Sequence, residues 1–98
     1  VLFMVVERFR DGNARPVYER AREQGRMLPP GLRYVDSWVE AGFGRCFQLM
    51  ECDDLTLLAA WIARWADLVE FEVIPVMTSA QASTVLQPDT DGLPAGQG

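Results

Sequence analysis

The chain contains neither histidine nor lysine. Without histidine there is no Ser-His-Asp or Cys-His nucleophile arrangement, and no His-ligated zinc or proximal-His haem. All nine basic residues are Arg, which reads as genomic GC bias. They are outnumbered by 14 acidic residues, giving a net charge of −5. Phosphate backbones repel such a surface, so nucleic acid is not an expected partner. Gly42-Phe43-Gly44 resembles the core of an RNA-binding motif, but Ala41, Arg45 and Gln48 stand where its basic and aromatic residues belong. No GxGxxG or Walker-type loop is present to cradle a phosphate. No apolar run approaches the ~18 residues of a membrane span. Val1 to Val6 is too short for a signal peptide, and Val1 reads as an alternative start, so the cytoplasm is the expected location.

Cysteine is scarce: only Cys46 and Cys52. On one extended strand they lie ~20 Å apart, beyond the ~7 Å a disulfide tolerates. Cys46, Met50 and Cys52 share strand parity, but metal ligands must converge, so these read as core residues. No cofactor and no metal are expected.

What the chain has in quantity is apolar surface. Of 98 residues, 49% are hydrophobic, including three Trp and five Phe. That is generous for one small domain. Leu2–Arg8 is apolar on both parities and reads as a strand buried on both faces. Ala14, Val17, Tyr18, Ala21 and Gly25 recur at helical spacing, a narrow stripe of small and medium side chains. Asn13 stands at its start and Pro16 in its first turn. Leu32–Glu40 and Arg45–Cys52 read as strands joined by an Ala41–Gly44 hairpin loop. Asp53 and Asp54 precede a helix over 55–66, where Leu57, Leu58, Trp61, Ile62 and Trp65 form a wide apolar stripe. Val69–Met77 reads as a fourth strand, placed at an edge by Pro75. Residues 1–77 therefore read as one domain. Residues 78–98 read as a C-terminal tail, with a short helical turn over 80–86 and disorder in the last ten residues.

The order β-α-β-β-α-β predicts an α+β, ferredoxin-like fold with a four-stranded antiparallel sheet and two helices on one face. Two helices shield one face only, while the first and third strands are apolar on both. A second copy of the chain is the expected cover, making the protein a homodimer.

Alternation from a Glu40–Arg45 pairing puts Tyr34, Asp36, Trp38, Phe47, Leu49 and Glu51 on one face, and Arg33, Val35, Ser37, Val39, Cys46, Gln48 and Met50 on the other. A carboxylate between two aromatics suits a general base, so Tyr34, Asp36 and Trp38 are candidate pocket residues. Gln48 joins them if the register slips by one. Glu7 and Glu51 are charges in apolar strands, and a buried charge needs a partner; Arg8, Arg33 and Arg45 are available.

The stretches LFMVVERFRDG (2–12), PVYER (16–20), GLRYVDSW (31–38), RCFQLMECDD (45–54) and FEVIPV (71–76) resemble an uncharacterised bacterial family, domain of unknown function 3303. That family is placed by resemblance in the dimeric α/β-barrel superfamily. The resemblance implies that two sheets pair into a barrel. The superfamily includes cofactor-free monooxygenases, isomerases and haem-degrading enzymes, and the missing histidine weakens the last analogy. The expectation is a small dimeric protein that binds a small apolar ligand or a partner without strong catalysis. The alternatives are a cofactor-independent monooxygenase or isomerase acting on an aromatic or polyketide-like substrate, and a structural interaction module.

Overall fold

The structure, a computed structural model, describes residues 1–88. Strand β1 (Leu2–Phe9) leads through a single 3-10 turn into helix α1 (Arg15–Gln24). Strands β2 (Arg33–Val39) and β3 (Arg45–Glu51) form the hairpin, followed by helix α2 (Leu55–Trp65) and strand β4 (Val69–Val76). A third helix, α3 (Ser79–Val85), closes the described chain.

The sheet order is β2-β3-β1-β4, with every neighbouring pair antiparallel. The most apolar strand, β1, lies inside the sheet, where both its edges are paired and the side carrying Phe3, Val5, Glu7 and Phe9 is covered by the helices. β4 pairs with β1 alone, which suits the missing N–H of Pro75.

Phe3 and Val5 from β1 and Met50 from β3 meet Leu58, Trp61 and Trp65 from α2 in the main core, with Val17 and Ala21 of α1 packed against it. Trp61 is 2% exposed and stands edge-on to Phe71, ring centroids 5.6 Å apart. Asp54 caps α2, accepting from the Thr56 amide at 2.9 Å. Gly31 turns the chain into β2 at φ +96°, and a Cβ there would stand 2.8 Å from Leu57 Cδ1. The α1–β2 connection is tied to α2 by three side chains. Trp61 and Trp65 each donate their indole N–H to the Arg26 carbonyl at 3.0 Å, and Arg64 donates to the Met27 carbonyl.

Two expectations are corrected. The chain has three helices among the described residues, not two. Thr78 and Gln81 form a reciprocal capping box: the Gln81 amide donates to Thr78 Oγ1 at 3.0 Å, and the Thr78 amide donates to Gln81 Oε1 at 2.9 Å. The sheet is open and uncurled, not closed into a dimeric α/β barrel. Its edge strands β2 and β4 are separated by β3 and β1 and do not pair with each other. The expected disorder of the last ten residues lies outside the described residues.

The register of β2 is also corrected. A bulge between Tyr34 and Asp36 inserts Val35, so strict alternation fails there. Tyr34, Ser37 and Val39 stand opposite Met50, Gln48 and Cys46 on the helix side. Asp36 and Trp38 stand opposite Leu49 and Phe47 on the open side.

Trp61→Ala removes the largest fully buried side chain and is expected to destabilise the fold by ~3–5 kcal/mol in urea unfolding.

Candidate functional site

The small residues of α1 leave space. Beside Val17 and Ala21, which touch the core, a cavity of about 300 Å³ remains between α1 and the sheet. Glu7 and Phe9 of β1, Cys46 and Gln48 of β3, and Ser37 and Val39 of β2 form its sheet side. Val17, Tyr18 and Ala21 of α1, with Trp61 and Trp65 of α2, form its helix side. Gly25 and Arg26 stand at its margin.

The polar centre of this space is Glu7. Odd-numbered residues of β1 face the helices, so Glu7 takes its place in the row of Phe3, Val5 and Phe9, and is only 5% exposed. Its partner is not an arginine. Gln48 Nε2 donates to Glu7 Oε2 at 2.6 Å. Gln48 is itself buried, and its Oε1 accepts no hydrogen bond among the described residues.

Burial pushes the Glu7 carboxyl above its ordinary range. Hydrogen bonds from Gln48 and Cys46, and the more distant charge of Arg26, oppose this only in part. Cys46 lies directly across the ladder from Glu7. Burial, then the Glu7 charge, raises its thiol to about 12, so it is a thiol and not a nucleophilic thiolate. The Tyr18 hydroxyl is raised by burial, then by Cys46 and Glu7. Arg26 spreads its guanidinium over the Tyr34 ring, 3.6 Å from the centroid, while its carbonyl holds the two indoles of α2.

Of the four residues singled out from sequence, Gln48 lines this cavity. Tyr34 lies on the same side of the sheet, under Arg26, its hydroxyl 2.7 Å from Ser37 Oγ. Asp36 is exposed on the opposite side, where its Oδ1 accepts from the Ser37 amide at 2.8 Å. Trp38 shares that side and is 52% exposed. The bulge at Val35 thus divides Tyr34 from Asp36 and Trp38. Of the two ambiguous glutamates, Glu51 is paired with Arg33 at 2.6 Å on the surface, and Glu7 is the buried one. Its parity with Phe3, Val5 and Phe9 was the available signal. Tyr18 and Cys46 carried none beyond core periodicity. Among the described residues no group of three or more Cys, Asp or Glu is placed to hold a metal ion, and no helix is long and apolar enough to cross a membrane.

The family described as Domain of unknown function (DUF3303) matches residues 1–89. The chain belongs to this family. Neither the curated proteins nor the solved structures contain a significant match. DUF3303 carries no assigned activity, so a function for this member has to be argued from the cavity itself.

Two outcomes follow from the burial of this pair. Glu7 holds its proton more tightly folded than unfolded, so its contribution to stability is present at acid pH and is lost as pH rises through its raised midpoint. From about pH 5 to about pH 8 the urea midpoint of the wild type should fall relative to that of Glu7→Gln, whose amide does not ionise. Cys46 should resist iodoacetamide at neutral pH in the native protein and react only after unfolding, read by mass spectrometry.

Proposed function

We propose that this chain binds a small, largely apolar molecule in the cavity between the sheet and α1, with Glu7 and Gln48 as its polar floor. The observation that carries this reading is a buried carboxyl–amide pair facing aromatic and aliphatic walls around space that no side chain fills. Its volume of about 300 Å³ sits at the lower limit of small-molecule sites, enough for a bicyclic body. Phe9, Val17, Tyr18, Trp61 and Trp65 supply the apolar contact. Two polar groups in an otherwise greasy space fix orientation, the usual division of labour in such sites.

The open face of the sheet supports a second reading, self-association. Leu2, Met4, Val6, Phe47, Leu49, Ile74 and Val76 lie on the face away from the helices, with the half-exposed Trp38 beside them. An apolar patch of this kind is an interaction surface by default. Two copies would stack these faces as a two-layer sandwich, each sheet remaining open. Light scattering should then return twice the chain mass, and Leu49→Arg should return a single chain.

For the ligand reading, naphthalene should quench or shift the emission of Trp61 and Trp65. Ala21→Leu, which fills the cavity from the helix side, should abolish that response while leaving the far-UV spectrum intact. An unchanged response in Ala21→Leu would place the bound molecule elsewhere.

A further inference from the structure

The Glu7–Gln48 contact contains an imbalance that defines which molecule the cavity takes. This step rests on the reading of the cavity as a binding site. Gln48 uses one N–H to reach Glu7 Oε2 at 2.6 Å, and its Oε1 is buried with no donor. An ionised Glu7 cannot supply one, because a carboxylate only accepts. Turning the Gln48 amide over would set its oxygen against the carboxylate and break the one good bond. Water does not reach that oxygen, which is inaccessible. The imbalance disappears if Glu7 carries a proton. A carboxylic acid and a primary amide close a ring of two hydrogen bonds: N–H of Gln48 to one carboxyl oxygen, and O–H of Glu7 to Gln48 Oε1.

The surroundings agree. β3 faces Glu7 with the thiol of Cys46 and the amide of Gln48, β4 with the ring of Phe71, and α1 with the hydroxyl of Tyr18. α2 contributes Trp61 and Trp65, neither of which titrates. Arg26 is the one cation bearing on Glu7 among the described residues; it acts through space, and its guanidinium is engaged with Tyr34.

We infer that Glu7 stands in the resting protein as a neutral acid ringed to Gln48, and that the cavity takes an uncharged, carbonyl-bearing compound with an aromatic or alicyclic body. With the ring closed and the Cys46 thiol bonded to Glu7, the hydrogens left to meet a ligand are the second N–H of Gln48 and the Tyr18 hydroxyl. A carbonyl oxygen is the complement of donors. An amine finds no negative charge to meet and has Arg26 at the margin.

Two measurements on the full chain decide this. In the first, side-chain carboxyl carbons are followed by NMR through a pH titration, with Glu7→Gln identifying the Glu7 signal by its loss. The signal should keep the shift of a protonated acid at neutral pH; titration in the ordinary carboxylate range would overturn the ring. In the second, 2-indanone and 2-aminoindane, the same skeleton bearing a ketone or an ammonium, are compared by tryptophan emission at neutral pH. The ketone should bind at least about tenfold more tightly. Tighter binding of the amine would mean an ionised Glu7 and would overturn the inference. Failure of both to bind would remove the binding site and the ligand class with it, while the carbon titration judges the ring on its own.

Discussion

A glutamate placed in an apolar row of the central strand is the constraint around which this domain is arranged. β1 supplies both the core and the polar floor of the cavity, because the parity that sends Phe3, Val5 and Phe9 to the helices sends Glu7 there too. A carboxyl so placed must find a partner or give up its charge. Gln48 answers from the adjacent strand, held by the antiparallel register that sets Val5 against Gln48 and Glu7 against Cys46. An amide was available where an arginine would have made an ion pair. That difference separates a tunable acid from a structural salt bridge.

The cavity around Glu7 depends on what α1 lacks. Val17 and Ala21 are short side chains that touch the core and leave space beside it, whereas α2 presses two indoles into it. Those indoles also fasten the α1–β2 connection through the Arg26 carbonyl, so the margin of the cavity is tied to the best-packed helix.

Much of this could be read from the residues. The strands and helices up to Val76 follow apolar periodicity, and the Glu40–Arg45 pairing at the hairpin is seen in their 2.8 Å contact. The bulge could not be read. Val35 sits between Tyr34 and Asp36 without a glycine or proline to mark it, so alternation carried Tyr34 to the wrong side on paper. α3 has no apolar stripe and buries nothing, and its only signal is the short Thr78–Gln81 box. The barrel was an inference from family likeness and apolar strand faces, and the open sheet does not sustain it. Glu7 was visible as a charge in a greasy strand, but that it bonds to an amide and meets Arg26 only through space depended on side chains from other elements.

The most direct test of the account is the infrared carbonyl region of the protein in heavy water at neutral pH. An absorption of a protonated carboxyl group, absent from Glu7→Gln, is the expected result. A wild-type spectrum showing only ionised carboxylates would contradict it.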